Sequence, residues 1–214
     1  FASVVEACRP YTYEFDKSYY QPFLQRVINA CGDEKHLNFF EHSYYSNLGL
    51  PFEVDLGERY VYSPHAYDIF IDSPLYNKYS SDERIKYIID NIRKNQLNMN
   101  VPVVMGEWGG GANHGNQWLK HIDYIYSLLE ENHWSCIYWG YRGENKEFVN
   151  MINRPYPVAV CGNIVSYKTD SKARSFELIY NCDKDFKNAK TVVYTPDKGF
   201  VEYDYKQGKN IIKF

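Results

Sequence analysis

The stretch Val101-Pro102-Val103-Val104-Met105-Gly106-Glu107-Trp108-Gly109-Gly110 constrains this chain more than any other. A short apolar run ends at a single carboxylate, and the backbone then breaks up in glycines. Such a run predicts a strand buried on both faces, with Glu107 at its C-terminal end. Where parallel strands are wrapped by helices, that rim is where side chains reach substrate instead of core. Glu107, with Trp108 beside it, is therefore a candidate catalytic carboxylate. The plainer alternative is a strand-end glutamate that caps the next helix or pairs with an arginine. These residues alone leave the two readings level.

The flanking sequence supplies the context. Residues 1 to 14 show no clear period. From Asp16, apolar residues at Tyr19, Tyr20, Phe23, Leu24, Val27 and Ile28 predict a helix, closed by the glycine signal Cys31-Gly32-Asp33. A short strand from His36 to Phe40 ends at Glu41-His42, and a helixless loop runs from Ser43 to about Gly57. A second strand, Arg59 to Ser63, ends in Pro64-His65-Ala66-Tyr67-Asp68. Ser81 caps a helix with the face Ile85, Ile88, Ile89 and Ile92. After the strand ending at Glu107, a helix from Asn116 carries Trp118, Leu119, Ile122, Ile125, Leu128 and Leu129. The strand Trp134 to Trp139 follows, then a short helical turn near Phe148 to Ile152.

This β/α alternation predicts a parallel sheet. Four strands between positions 36 and 139 recur about every 34 residues, close to the roughly 31 of an eight-unit barrel of about 250 residues. Four strands cannot close such a barrel. The expected fold class is α/β: residues 1–154 form the second half of a TIM (β/α)8 barrel, strands five to eight. After Arg154-Pro155-Tyr156-Pro157 the helical period vanishes. Ser175 to Tyr180, Thr191 to Tyr194 and Phe200 to Tyr203 read as strands. Turns are expected at Asn181 to Asn188, Pro196 to Gly199 and Gln207 to Lys209, so residues 155–214 are expected to form a small antiparallel β-sandwich.

Bulk properties exclude some functions. Net charge is -3 with pI near 6.1 over 214 residues, so there is no broad basic surface for nucleic acid. No run of 18 apolar residues exists to span a bilayer, and the N-terminus lacks the pattern of a signal peptide. Five cysteines show no metal-like spacing, and an odd count leaves at least one outside any internal pairing. The 22 tyrosines suit surfaces that stack on sugars, although plain sheet usage would account for them equally.

Three strand ends converge at one rim: Pro64-His65-Ala66-Tyr67, Gly106-Glu107-Trp108 and Tyr138-Trp139-Gly140-Tyr141. A nucleophilic carboxylate needs an orienting donor, which Tyr67 or His65 could supply, and Trp139 offers a flat floor for a pyranose. Each has a bland reading as core or rim residue; together they favour a site. Glu41 and Trp108 complete the candidate substrate-binding set, with helix-loop capping the plainer role for Glu41. Asp68 and Asp72 read as turn residues, and Asn113 and His114 as loop residues that could touch substrate, with a solvated loop histidine the plainer reading.

The motifs Tyr62-Ser63-Pro64-His65-Ala66-Tyr67 and Val104-Met105-Gly106-Glu107-Trp108-Gly109, with the Trp139 strand, resemble glycoside hydrolase family 5, retaining β-glycosidases built on TIM barrels. The likeness is greatest to endoglycoceramidases and related glycosylceramidases, whose barrels are followed by an Arg-Pro-Tyr-Pro segment and a β-sandwich. The helix Tyr20 to Ala30 is similar to the family's fourth helix. The resemblance implies Glu107 as nucleophile, His65 and Tyr67 as residues that orient it and line the sugar subsite, and Trp139 as platform. It implies a β-glycoside substrate, a glycolipid above all, no metal or cofactor, secretion or lysosomal residence, and peripheral contact with a membrane surface. A β-glucan-cleaving enzyme of the same family, or a non-catalytic carbohydrate- or lipid-binding half-barrel, are the other readings. The family's acid/base lies in an Asn-Glu-Pro motif that this sequence lacks. The expected partner is therefore an N-terminal half-barrel segment or chain that carries it.

Overall fold

The computed structural model describes residues 1–32, 35–55, 57, 60–110, 115–141, 143 and 146–214. The predicted positions Asp33, Arg59, Asn113 and His114 lie outside the described residues. The chain divides into two compact units, Phe1–Ile125 with Trp134–Arg142, and Tyr126–His133 with Gly143–Phe214.

The first unit is a run of β/α elements. Helices α1 (Ala2–Ala7) and α2 (Arg9–Phe15) open it, followed by a π-helical turn, Asp16–Tyr20, and α3 (Gln21–Cys31). The first two helices were not readable as a period, because among their residues only Val5 and Thr12 are buried. Helix α3 ends as predicted at Gly32, whose left-handed φ of 57° suits a residue without Cβ. Its expected apolar face differs from the observed one. Leu24 is buried, Tyr20 and Ile28 are half-buried, and Tyr19, Phe23 and Val27 are exposed.

Strands β1 (Asn38–Phe40) and β2 (Tyr60–Tyr62) pair in parallel, and the loop between them carries a 3-10 turn at Tyr44–Leu48. β3 (His65–Ala66) continues the line of β2 after an interruption at Ser63-Pro64, where proline has no N–H for a ladder bond. β4 (Val104–Trp108) pairs in parallel with β3, and β5 (Ser135–Tyr138) with β4. A parallel bridge from Tyr62 to Val103 links the two groups. Counting β2 and β3 as one broken strand, the order is that of four successive barrel strands. Among the described residues β1 and β5 pair on one side only, and the arc is a partial barrel.

Helices cover the arc. After the short α4 (Tyr76–Tyr79), α5 (Asp82–Met99) begins at Ser81, whose hydroxyl accepts the Arg84 N–H at 3.2 Å. Its predicted face, Ile85, Ile88, Ile89 and Ile92, is fully buried. α6 (Gly115–Glu131) buries Trp118, Ile122, Ile125, Leu128 and Leu129.

The second unit contains the last turns of α6, then α7 (Lys146–Ile152) and six antiparallel strands: β6 (Tyr156–Ala159), β7 (Asn163–Asp170), β8 (Ser175–Cys182), β9 (Thr191–Thr195), β10 (Gly199–Tyr203) and β11 (Gly208–Lys213). They form two three-stranded sheets, β10-β9-β6 and β11-β8-β7. Phe176, Leu178, Tyr180 and Val193 pack between them, drawing on both sheets. Three of these strands were not readable in the sequence, and Gly208, expected in a turn, begins β11. Arg154 is buried in this unit, its guanidinium 3.9 Å from the Tyr126 ring centroid and 3.1 Å from a Glu130 oxygen.

Two substitutions test how α5 is held. Ser81→Ala removes the cap and is expected to cost about 1 kcal/mol. Ile88→Ala opens a void under the sheet and is expected to cost about 2–5 kcal/mol. Denaturant unfolding of both variants checks the ranking.

Candidate active site

The site begins with a register. In the parallel pairing of β3 with β4, His65 lies opposite Glu107 and Ala66 opposite Trp108. Opposed residues of neighbouring strands point to the same face, and alternate residues along a strand return to it. His65, Tyr67 and Glu107 therefore share one side. The Tyr67 hydroxyl donates to Glu107 Oε2 at 3.1 Å, and His65 Nδ1 lies 3.5 Å from the same oxygen. His65 Nδ1 also lies 3.2 Å from Oε1 of Glu41, beyond the end of β1. One imidazole edge thus bridges two carboxylates.

The glycines of the motif have separate tasks. A Cβ on Gly106 would sit 2.5 Å from Ser63 Oγ and 3.1 Å from the Ser63 carbonyl, so the strands approach closely here and a side chain would have to displace the serine hydroxyl. Gly109 has φ of 148° and turns the chain beside β5, where a Cβ would meet the Trp139 carbonyl at 2.6 Å. The Tyr138 hydroxyl donates to the Gly110 carbonyl at 2.9 Å and fastens that turn.

Burial sets the protonation of the surrounding groups. Burial, then the charge of Glu107 and the bond donated to it, push the Tyr67 phenol well above its ordinary value of 10. Tyr67 thus remains a donor. Behind His65 sits a residue the sequence did not single out. His42 is 3% exposed, with Nδ1 2.9 Å from Tyr62 Oη and Nε2 2.7 Å from Asn47 Oδ1. The His65 backbone N–H donates to His42 Nε2 at 3.2 Å. Burial pushes the pKa of His42 down to about 3. A neutral imidazole thus props the strand that carries His65.

Asp68, expected to be a turn residue, has a larger structural part. It is fully buried and accepts the N–H groups of Phe70 and Ser81 at 3.0 and 3.1 Å. Arg84 grips both its oxygens, Nε at 3.0 Å and Nη2 at 3.1 Å. The segment after Tyr67 is thereby tied to the first turn of α5. Asp72 is exposed in the same segment. The sequence signal was an aspartate directly after the tyrosine and an arginine three residues past the Ser81 cap.

The two tryptophans part company. Trp139, beyond the end of β5, is 59% exposed and presents a ring to solvent. Trp108, expected with the substrate-binding residues, is 2% exposed and packs edge-on against Tyr138 at 5.4 Å. It is a core residue here, because its neighbour Glu107 takes the rim face. A carboxylate held by a phenol and an imidazole at the C-terminal ends of parallel strands can bind a sugar hydroxyl or attack an electrophilic carbon.

Comparison with known proteins follows the same lines. The family model described as Cellulase (glycosyl hydrolase family 5) matches residues 16–145, and the glycoside hydrolase family 5 C-terminal domain matches residues 154–210. No curated protein matches the chain in sequence. Among solved structures, endo-glycoceramidase II from Rhodococcus sp. superposes with TM-score 0.74 at 19% identity, covering 94% of this chain and 55% of that one. Its ganglioside GM3 complex gives TM-score 0.76 at 19% identity, with 94% and 54% covered. Sterylglucosidase 1 from Cryptococcus neoformans gives 0.54 at 15% identity, with 72% and 37% covered. The chain spans about half the length of the endo-glycoceramidase structures it matches. At these identities the structures show a shared fold.

His42 generates a pH dependence. Its pKa in the folded protein is about 3 against 6.5 when unfolded, so the unfolded chain takes up the proton first as pH falls. The stability this histidine contributes is complete above pH 6.5 and is lost as pH falls toward 3. Between pH 7 and 5.5 the loss is about 1 kcal/mol. Chemical denaturation at both pH values is expected to show that difference between the native protein and His42→Gln, with the variant less sensitive.

Proposed function

The chain belongs to glycosyl hydrolase family 5, and from that membership and the geometry at Glu107 we propose that it serves a retaining β-glycosidase acting on the glycan–lipid bond of glycosphingolipids. The observation that carries the reading is the Tyr67 hydroxyl on Glu107 Oε2 at 3.1 Å, with His65 in parallel register beside it. The lipid aglycone is supported by the fold neighbours, one solved with ganglioside GM3 and as a lactosyl-enzyme intermediate, another a sterylglucosidase.

In this reading the reaction is a double displacement. Tyr67 and His65 both approach Oε2 and hold the carboxylate plane, so Oε1 attacks the anomeric carbon. An acid carboxyl, supplied by an N-terminal half-barrel segment or chain, protonates the departing glycosidic oxygen. The resulting glycosyl ester on Glu107 is then hydrolysed by water, with the same carboxylate acting as base. The two carboxyl groups are expected to lie about 5–5.5 Å apart in the assembled site. Trp139 provides the floor under the sugar, and Glu41 holds His65 or a sugar hydroxyl. Residues 1–154 are the barrel part and 155–214 the β-domain. The enzyme works outside the cytoplasm, secreted or lysosomal, in peripheral contact with the membrane that holds its substrate.

A β-glucan substrate is the second reading, favoured by the family description Cellulase over residues 16–145. Parallel assays on a ganglioside and on a cello-oligosaccharide separate the two, the first being cleaved faster on the lipid reading.

Glu107→Gln is expected to lower kcat by at least about 10³-fold with little change in KM. A 2-deoxy-2-fluoro glycoside is expected to label Glu107, read by peptide mass spectrometry. Activity of Glu107→Gln within severalfold of the native protein removes the nucleophile assignment. Tyr67→Phe loses one charge-assisted hydrogen bond, and kcat is expected to fall about 10–100-fold.

A further inference from the structure

The two buried cysteines of the second unit meet in its core. Cys161 is 1% and Cys182 5% exposed, within the cluster of Phe176, Leu178, Tyr180, Val193 and Ile212. β7 and β8 are antiparallel with Asn163 opposite Asn181. Extending that register one step places Gly162 opposite Cys182, with Cys161 its diagonal neighbour. A Cβ built on Gly162 would lie 2.9 Å from the Cys182 Cα, so the chains are in close approach there. Gly162, at φ of 143°, closes a tight turn through its N–H on the Val160 carbonyl at 2.9 Å.

The sulfur contacts are specific. Cys182 Sγ donates to the Cys161 carbonyl at 2.6 Å. Cys161 Sγ lies 3.1 Å from Thr191 Oγ1, which also accepts the Cys161 N–H at 3.2 Å. With Cys182 Sγ on the Cys161 carbonyl and both side chains in one core cluster, the two residues stand close enough for a disulfide, whose Cα atoms lie roughly 4.4–6.8 Å apart. Both thiols are reduced in the structure.

We propose that Cys161 and Cys182 are a disulfide-forming pair, oxidised as the β-domain folds in a compartment that supplies a disulfide donor. One thiolate attacks a sulfur of a small disulfide such as oxidised glutathione and expels one thiol. The second thiolate attacks the protein sulfur of the mixed disulfide and expels the other. Two protein thiols are oxidised to one disulfide, one small disulfide is reduced to two thiols, and the two protons pass to the thiols released. The pair acts before the core closes. Once folded, burial and the neighbouring Cys161 thiol push the Cys182 thiol up to about 11, which leaves little thiolate to react. The bond would tie the first strand of the sheet β11-β8-β7 to its centre in a domain of modest core, where a cross-link stabilises most.

The test uses protein produced through a secretory route and kept free of reductant. Free thiols are alkylated on unfolding, the chain is digested without reduction, and linked peptides are mapped by mass spectrometry. A Cys161–Cys182 link is expected. Alkylation of both cysteines, a link from either to another residue, or a stable glutathione adduct on either alone overturns the proposal. In a second arm, reductant is expected to lower Tm by about 5–10 °C in the native protein and to leave Cys182→Ala unmoved. Equal reductant effects on both proteins also overturn it. If Cys182→Ala does not fold, the link map on the native protein decides. None of these outcomes depends on the role of Glu107.

Discussion

The parallel pairing of β3 with β4 is the constraint on which the rim depends. It places His65 opposite Glu107, and Tyr67, two residues on, returns to the same face. A one-residue slip would turn every side chain of β3 to the other side and leave Glu107 without either contact. Several features resist that slip. Gly106 lies close against Ser63, where a Cβ would crowd the serine hydroxyl, and the Gly106 N–H donates to the Pro64 carbonyl at 2.8 Å. The Ser63 N–H reaches back to the Phe40 carbonyl at 2.9 Å, tying the interrupted strand to β1. His42, kept neutral by burial, receives the His65 N–H.

Electrostatics then follows from position. His65 Nδ1 stands between Glu41 and Glu107, 3.2 Å from the first and 3.5 Å from the second. A proton on that nitrogen serves whichever carboxylate draws closer, so the two acids compete for one donor. Tyr67 has no such competitor and stays protonated, since burial and the adjoining carboxylate both disfavour the phenolate. The phenol is thus the steadier of the two contacts on Oε2. Asp68 and Arg84 help to explain how it stays there: their ion pair anchors the residue next to Tyr67 in the chain and has one partner fully buried. Removing either member would strand a charge, which makes the segment costly to move.

Much of this was readable because the signals are local. An apolar run ending in Glu107, a Pro-His-Ala-Tyr strand end and the isoleucine stripe of α5 each lie within one stretch of chain. What could not be read depends on how the chain packs once folded. His42 becomes a buried prop only because Tyr62 and Asn47 fold around it. Trp108 was misplaced by proximity: adjacent strand residues face opposite ways, so a glutamate on the rim sends the next ring inward. Helices α1 and α2 left no period because so little of them is buried. β6, β7 and β11 went unread because their burial is partial, and in β11 only Ile212 is buried.

The same logic bears on what the arc still needs. β1 and β5 each pair on one side among the described residues, and both carry an exposed apolar side chain, Phe39 and Ile137, each 56% exposed. Parallel strands are stable when both faces are covered and their ladders are paired. An edge strand with an apolar side chain in the open is a docking surface for another strand. Tyr19, Phe23 and Val27, on and before α3, are exposed apolar side chains of the same kind. Strands that complete these edges would close the barrel and bring a second carboxyl across from Glu107. On the proposed mechanism, the open ladders of the sheet and the acid that Glu107 requires call for the same segment.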